Sequence, residues 1–297
     1  MRVFVLNDAD EVAGAASTGA LLSRARERGP VRVVGIADLG LEPDGRVMAD
    51  GVCLSEGDQV VVRTNPSRDH RKALQRLSLD LLCIARDQGV SVVNDPGGLA
   101  RAETKLHLCS LPPHLRPRTL VSASRARLRA FVMEAPGPTV VKPIAGTRGR
   151  DVFKVHPDTE NLPQILDVLC REGLAMAQDF VPEAVEGDVR VLVVGGRVLE
   201  RGGHVCAVRR RPPAHDFRSN VAIGGVPEIG VLSPQLRAIA DEAAALLYDQ
   251  GLHIAGLDAI GDKLVEVNVF SPGGFPDIEK FTGQDFVGAV LDHLDSV

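Results

Sequence analysis

Residues 256–268 read Gly256-Leu257-Asp258-Ala259-Ile260-Gly261-Asp262-Lys263-Leu264-Val265-Glu266-Val267-Asn268. Two apolar runs lie on either side of a Gly-Asp-Lys turn, and this pattern predicts a β-hairpin. Because successive side chains of a strand point to opposite faces, Glu266 and Asn268 fall on one face, with Val265 and Val267 on the other. The second strand therefore presents a carboxylate and an amide on the same surface.

The length of the turn decides whether a second carboxylate joins that surface. A three-residue turn at 261–263 pairs Ile260 with Leu264 and Asp258 with Glu266. A two-residue turn shifts the pairing by one residue and separates the polar groups. We expect the three-residue turn, because only that register gathers the two carboxylates and the amide.

Two carboxylates and an amide oxygen suit a hard cation such as Mg²⁺, held together with substrate phosphates. Asp258, Glu266 and Asn268 are therefore candidate metal ligands. The alternative is a solvent-facing polar stripe on an amphipathic hairpin. A Ser-Pro-Gly-Gly turn at 271–274 follows closely. Such a turn can present backbone amides beside the polar face, which favours the metal site.

A glycine-containing loop is the second candidate feature. Lys142 ends an apolar strand at 139–142, and the loop at 144–151 leads into a strand at 152–155. The loop can fold its N–H groups over phosphates while Lys142 adds a positive charge. It matches neither the P-loop nor the dinucleotide fingerprint. The alternative is an ordinary turn beside a lysine that reaches solvent.

Basic residues form a third feature at Arg209, Arg210, Arg211 and Arg218. A guanidinium pairs bidentately with carboxylate or phosphate, so these residues are candidates for anion capture. The alternative is a solvated arginine loop.

The order of elements predicts two parts of different class. Residues 1–117 alternate strand and helix, which indicates a parallel α/β domain that ends in a proline-rich linker at 111–117. Residues 118–297 mix strands and helices in an α+β pattern.

Composition narrows the function classes. An aromatic share of 3% and a net charge of −5 argue against nucleic-acid binding. The five cysteines form no CxxC pair, which indicates reduced thiols rather than a structural zinc site. The N-terminus lacks a signal-peptide pattern and no apolar run is long enough to span a membrane. We expect a soluble cytoplasmic protein.

Eight segments, in this order, resemble the bacterial glutathione synthetase family of the ATP-grasp superfamily. They are residues 93–96 with Lys105 downstream, 141–143 with the glycine loop, 176–182, 187–192, 217–220 with 224–225, 256–258, 266–268 and 271–274. The resemblance runs from the first strand to the C-terminus. It implies an N-terminal α/β domain followed by a two-part ATP-grasp fold. The smaller, nucleotide-closing part would be 118–186, and the metal and substrate part 187–297.

The resemblance also implies a role for each matching position. Lys105 and Lys142 would bind nucleotide phosphate, Asp188 would lie near the nucleotide, and Arg190 would lie near phosphate or substrate. A mobile loop would cover the triphosphate, with residues Gly146, Thr147, Arg148, Gly149 and on to Asp151. A hinge would bind adenine through Gln178, Asp179, Phe180 and Val181, and the magnesium ligands would be Asp258, Glu266 and Asn268. For the substrate, Arg210 and Arg218 would steady the acyl phosphate, Asn220 would be a contact, and the backbone of Ser271, Gly273 and Gly274 would hold a carboxylate. Arg210, Arg218 and Lys142 are the implied catalytic residues.

The sequence departs from the family in two places. Arg148 and Asp151 stand where glycines are usual, which predicts a stiffer loop. Residues 212–216, Pro-Pro-Ala-His-Asp, replace the usual Gly-Glu pair before the second arginine. His215 in this segment is a candidate substrate contact or a solvent-exposed residue.

The expected chemistry is ATP-dependent joining of a carboxylate to an amine through an acyl phosphate, with Mg²⁺ or Mn²⁺ as the metal. The first hypothesis is glutathione synthesis from γ-glutamylcysteine and glycine. The alternatives are a ligase for another peptide or specialised metabolite, and a non-catalytic ATP-binding module. Related synthetases assemble as homo-oligomers, so we expect one here.

Overall fold

The computed structural model describes residues 1–10, 16–146, 150–171, 173–213 and 226–297. The described strands are β1 Arg2–Leu6, β2 Val31–Gly35, β3 Leu39–Leu41, β4 Val47–Ala49, β5 Val52–Cys53, β6 Gln59–Val62, β7 Ser91–Val93, β8 Thr119–Ser122, β9 Thr139–Pro143, β10 Phe153–Val155, β11 Ala175–Asp179, β12 Asp188–Val194, β13 Arg197–Val198, β14 Glu200–Arg201, β15 His204–Val205, β16 Ala207–Arg211, β17 Val226–Ile229, β18 Ile254–Ile260 and β19 Lys263–Asn268. The described α-helices are α1 Ala16–Arg28, α2 Lys72–Asp87, α3 Pro96–Arg101, α4 Arg125–Met133, α5 Leu162–Leu169, α6 Pro234–Tyr248, α7 Phe275–Thr282 and α8 Phe286–Leu294.

The first sheet is parallel and has the strand order β2-β1-β6-β7. Its strands are apolar and buried on both faces, as parallel sheets require. Phe4 packs with Leu21 of α1 on one face, and Val5 packs with Leu82 of α2 on the other. This arrangement confirms the parallel α/β unit that the sequence predicts at the start of the chain.

The second sheet is antiparallel and has the order β10-β9-β11-β8. Helices α4 and α5 bury Leu128 and Leu166 against Val141 and Ala177 of its strands. These residues form a core cluster of their own. Strand β9 carries Lys142, and β11 ends within the predicted adenine hinge.

The third sheet has the order β17-β16-β12-β18-β19, with β13 added to β12. Its residues Val191 and Leu257 belong to the same core cluster as Val60 of the first sheet. The buried Asn94 fixes this docking, because its side chain accepts from Ile254 N at 2.8 Å and donates to Ile254 O at 2.8 Å. The first and third sheets therefore form one body. Together with the second sheet they confirm the predicted combination of α/β and α+β structure.

The hairpin of β18 and β19 corrects one expectation. Its turn has two residues, so Ile260 pairs with Lys263 rather than with Leu264. The predicted three-residue turn is therefore wrong. The register then shifts, because Asp258 pairs with Glu266 while the next pair is Ala259 with Leu264. One extra residue, Val265, lies in β19 as a bulge and restores the predicted pairing of the two carboxylates.

No helix among the residues that the structure describes is both long and apolar enough to cross a membrane.

Gly187, the residue before β12, lies in close backbone contact with β16. Its φ is +94°, and a Cβ would lie 2.0 Å from the carbonyl oxygen of Arg210. We expect Gly187→Ala to destabilise the fold by about 3 kcal/mol, through the left-handed backbone and the clash. Urea unfolding measures this change.

Gly137→Ala is the matched control, because a Cβ there meets nothing within 4 Å. It should change stability by less than about 1 kcal/mol. If the two variants lose the same free energy of unfolding, the close contact at Gly187 does not require glycine at that position.

Candidate active site

Asp258 is the centre of a buried ion-pair cluster. It pairs with Arg190 across β12 and β18. Arg190 Nε donates to Oδ1 and Arg190 Nη2 to Oδ2, both at 2.6 Å, and Arg210 Nη2 lies 3.0 Å from Oδ2. Burial alone would raise the pKa of the Asp258 carboxyl, but Arg190 and Arg210 outweigh it and hold the pKa well below its usual range. Asp258 is therefore ionised at neutral pH.

A second carboxylate shares Arg210. Asp188 pairs with Arg210 across β12 and β16, and Arg210 Nε donates to Asp188 Oδ1 at 2.8 Å. Arg210 Nη2 also contacts Oδ2. Burial would lower the pKa of Arg210, but Asp258 and Asp188 raise it above its ordinary value. Among the described residues, two carboxylates thus face two guanidinium groups, and this pairing offsets the cost of burying them.

The polar face of the hairpin lies beside this cluster. Asn268 Nδ2 donates to Asp258 Oδ2 at 3.2 Å. Glu266 is directly opposite Asp258 and lies 3.6 Å from Lys105 Nζ. The structure therefore brings together the three predicted metal ligands and one predicted phosphate ligand.

Lys142 joins the second sheet to the hairpin. It is buried in β9, and its Nζ donates to the carbonyl oxygen of the bulged Val265 at 3.3 Å. Burial lowers the pKa of Lys142 to about 8. Lys105 opens a 3-10 helix at Lys105–Ser110, and its Nζ donates to the carbonyl of Gly146 at the start of the glycine loop. Both predicted phosphate ligands lie beside the carboxylate face.

The predicted adenine hinge begins in the last two residues of β11, Gln178 and Asp179, and continues to Val181. Gln178 is buried and donates to Thr119 Oγ1 at 3.1 Å. The backbone N–H groups of Asp179 and Phe180 are used by neighbouring carbonyls, at 3.0 and 2.9 Å. The N–H of Val181 has no acceptor among the described residues. One backbone donor of the hinge is therefore available to a ligand.

The turn after the hairpin, residues 271–274, contacts the first sheet. Ser271 Oγ donates to Arg63 O at 2.5 Å and lies 3.0 Å from Thr64 O. Gly274 N donates to Ser17 Oγ at 3.2 Å, and Gly273 lies beside the same hydroxyl. The sequence analysis assigned no role to Arg63. Its place in an Arg-Thr-Asn-Pro run at the carboxyl end of a parallel strand, where ligands commonly bind, could have identified it.

Several predicted site residues lie outside the described residues. They are Thr147, Arg148, Gly149, His215, Arg218 and Asn220. Asp151, which stands where glycine is usual in the family, is described and has a φ of +56°. That conformation favours glycine.

Comparison with known proteins identifies the family. Residues 104–283 match the model described as the ATP-grasp domain of prokaryotic glutathione synthetase. The glutathione synthetase of Nitrosomonas europaea is 34% identical over 244 residues, which cover 82% of this chain and 73% of the relative. That of Ralstonia nicotianae is 35% identical over 240 residues, which cover 80% and 71%. The chain belongs to the prokaryotic glutathione synthetase family.

As a member of the glutathione synthetase family, the protein is an ATP-dependent, glutathione synthetase-like ligase that forms C–N bonds. The predicted family and enzyme class are confirmed. The ATP-grasp ligase PsnB complexed with minimal precursor superimposes with a TM-score of 0.69 at 22% identity, covering 99% of this chain and 98% of that one. D-cycloserine synthetase DcsG superimposes with a TM-score of 0.70 at 18% identity, covering 99% and 100%. These likenesses confirm the ATP-grasp fold.

The buried Lys142 makes the stability of this glutathione synthetase-like ligase depend on pH. Its pKa is about 8 in the folded protein and 10.5 ordinarily, so the folded state releases this proton first as pH rises. The cost of burying the charge is present below pH 8 and is lost as pH rises toward 10.5. Wild type should therefore gain on the order of 3 kcal/mol relative to Lys142→Met across this range. Urea unfolding of both proteins gives the difference.

Lys154→Met, at an exposed lysine of the adjacent strand, is the control and should show no such trend. If the difference in free energy of unfolding between wild type and Lys142→Met stays constant with pH, the Lys142 ammonium is not buried as described.

Proposed function

We propose that the chain joins γ-glutamylcysteine to glycine and releases ADP and phosphate. Identity of 34–36% to glutathione synthetases over most of the chain supports this substrate pair. The carboxylate face of the hairpin beside two lysines supports phosphoryl transfer as the first step. This juxtaposition is the single observation on which the proposed chemistry depends.

Asp258, Glu266 and Asn268 are the proposed ligands of a nucleotide-bound Mg²⁺, with Mn²⁺ as a substitute. The donor set fits, because carboxylate and amide oxygens are what Mg²⁺ takes when phosphates complete its coordination. Among the described residues no group of three or more His, Cys, Asp or Glu is placed to hold a metal. The proposed site is two carboxylates and an amide, and phosphate oxygens would complete its coordination. PsnB, a fold relative, has been solved with Mg and ADP. When bound, the ion neutralises phosphate charge.

The remaining charge compensation comes from the protein. In the first step the substrate carboxylate oxygen bonds to the γ-phosphorus, ADP leaves, and an acyl phosphate forms. The carboxylate and the γ-phosphate are both negatively charged and repel each other. Lys105, Lys142 and Arg210 would offset this repulsion. In the second step the amine attacks the acyl carbon and inorganic phosphate leaves. Arg218 would steady the acyl phosphate.

Other residues would orient the reactants. The free N–H of Val181 would contact the adenine edge, beside Gln178, Asp179 and Phe180. Asp188 and Arg190 would act by holding Arg210 and Asp258 in place near the phosphates. The proposed cover over the triphosphate is Gly146, Thr147, Arg148 and Gly149, and the proposed substrate contacts are Asn220, Ser271, Gly273 and Gly274. Excluding water by this cover would protect the acyl phosphate from hydrolysis.

We further propose the division into residues 1–117, 118–186 and 187–297. The separate core of the second sheet supports treating the middle part as a unit. A cytoplasmic homo-oligomer is proposed from the resemblance alone, and light scattering after size-exclusion chromatography tests it.

An ADP-release assay with panels of carboxylates and amines tests the proposed function. We expect release only when ATP, γ-glutamylcysteine and glycine are all present, with glutathione as the product. Release with a different pair would instead identify a ligase for another peptide or metabolite. If no pair gives ADP while ATP still binds, the chain is a nucleotide-binding module.

Glu266→Ala separates a metal ligand from a structural residue. The Glu266 side chain is 30% exposed, and 3.6 Å separates it from Lys105, so the fold should tolerate its loss. We expect kcat to fall at least about 100-fold because transition-state charge is left uncompensated. The melting temperature should change by no more than about 3 °C.

Glu160→Ala is the control: it removes an exposed carboxylate that is distant from Glu266 in the sequence, and it should leave kcat and the melting temperature unchanged. A large loss of melting temperature with an intact rate in Glu266→Ala would assign this residue to the fold instead.

A further inference from the structure

Helix α2 carries two apolar stripes. The first packs against the first sheet through Leu79 and Leu82, which lie in the core. The second stripe consists of Leu74, Leu77, Leu81 and Ile84. Its residues are spaced alternately by three and four positions, which is the a/d repeat of a coiled-coil seam. The helix therefore has a second face with the spacing that helix–helix packing requires.

Much of this second stripe is open to solvent. Leu77 is 57% exposed and Ile84 is 38% exposed, while Leu74 and Leu81 are half-buried. Single exposed apolar residues are normal on a protein surface, but a continuous apolar strip marks a surface that binds something.

The β3–β4 hairpin widens the strip at one end of the helix. Gln88, the residue after α2, donates its Nε2 to Gly45 O of the hairpin turn at 2.7 Å. The turn therefore lies beside the C-terminal end of α2. Leu41, the last residue of β3, is 51% exposed and lies on the same face of β3 as Leu39, which packs on the core. Leu41 and the second stripe together form the α2 seam.

The α2 seam is complementary to itself. Leu77 and Ile84 lie at equal distances along the helix from the midpoint between residues 80 and 81. A two-fold axis at this midpoint, perpendicular to the helix, places Leu77 of one copy opposite the partner's Ile84. Leu81 lies near the axis. Leu41, beside the C-terminal half of α2, then approaches the partner's Leu77, which is the most exposed residue of the stripe.

The charges beside the seam reverse along the helix. At about 100° per residue, Arg76 and Asp87 lie within roughly 20° of each other, on the same flank of α2. Equal flanks meet in an antiparallel two-fold pair, so Arg76 of one copy lies beside the partner's Asp87, offset by about 3 Å along the axis. The symmetry forms this ion pair twice. An isologous contact requires such a reversal, which favours a second copy of the chain as the occupant.

The ion pairs within one chain allow this contact. Arg76 lies 3.4 Å from Asp80 of its own helix, and Asp87 lies 2.8 Å from Arg86. Both pairs are exposed and therefore weak. Asp80 lies near the two-fold axis, where the carboxylates of two copies approach each other. Arg76, between its own Asp80 and the partner's Asp87, offsets that repulsion.

We propose that the α2 seam joins two copies of the chain in an antiparallel dimer with two-fold symmetry. This inference deepens the homo-oligomer proposed above by naming the surface that forms it. It uses no residue of the proposed active site, so the ADP-release assay tests the ligase function separately.

Sedimentation equilibrium of the full chain over a range of protein concentrations tests the interface. Wild type should form dimers or a larger assembly of dimers. Leu77→Glu should raise the dimer Kd at least about 100-fold, because each dimer buries this leucine twice. Val231→Glu is the matched control, since Val231 is 73% exposed and lies outside α2, and it should leave Kd unchanged. Melting temperatures show that both variants are folded.

A charge exchange tests the antiparallel arrangement and does not depend on the leucine variant. Asp87→Arg places an arginine beside the partner's Arg76 and should raise Kd roughly 3- to 30-fold, and Arg76→Asp should do the same. The double variant Arg76→Asp/Asp87→Arg restores both ion pairs with reversed polarity and should return Kd to near the wild-type value. The Arg76–Asp80 pair stays broken in the double variant, so its recovery reports the contact between copies.

Three results would overturn the proposal. A wild-type chain that is monomeric at every concentration removes both the homo-oligomer and its interface. An oligomer that Leu77→Glu leaves intact removes the α2 seam alone. Single charge variants that weaken the dimer without recovery in the double variant would show that the helices do not pair antiparallel.

Discussion

The β-bulge at Val265 is the constraint on which the rest of the site depends. If β19 had no bulge after the two-residue turn, Asp258 would pair with Val265, and the Glu266 side chain would lie on the other face of the hairpin. The extra residue brings the two carboxylates into one pair. It also leaves the Val265 carbonyl to accept from Lys142 of the second sheet. One irregular residue thus sets the proposed metal face and its contact with the second sheet.

The charge arrangement around this face explains how so many ionised groups remain buried. Arg210 lies between Asp188 and Asp258. Asp258 also pairs with Arg190, so among the described residues two carboxylates face two guanidinium groups, with bidentate hydrogen bonds. Such a cluster adds little net stability, but it fixes the position and ionisation of Asp258. Arg63 is the contrast: it is equally buried, but no carboxylate among the described residues pairs with it, and its acceptors are Thr18 Oγ1 and Pro272 O.

The sequence predicted the parts of this arrangement that follow from local pattern. Alternation of apolar residues identified the hairpin and its polar face, and the order of elements identified the parallel sheet. The bulge was not predictable, because a two-residue turn plus one extra residue and a three-residue turn gather the same polar groups. Nor was the pairing of Arg190 with Asp258, which depends on β12 lying beside β18. Arg63 and Pro272 are distant in the chain, and only the docking of the first and third sheets brings them together.

The most direct test is a crystal structure of the protein with Mn²⁺ and a non-hydrolysable ATP analogue, with the ion located by anomalous scattering. We expect the ion at about 2.1 Å from oxygens of Asp258, Glu266 and Asn268, together with phosphate oxygens. Lys142 should contact the same phosphates. An ion held by the phosphates alone, with Glu266 turned away from it, would contradict the central claim that the bulged hairpin forms the metal face.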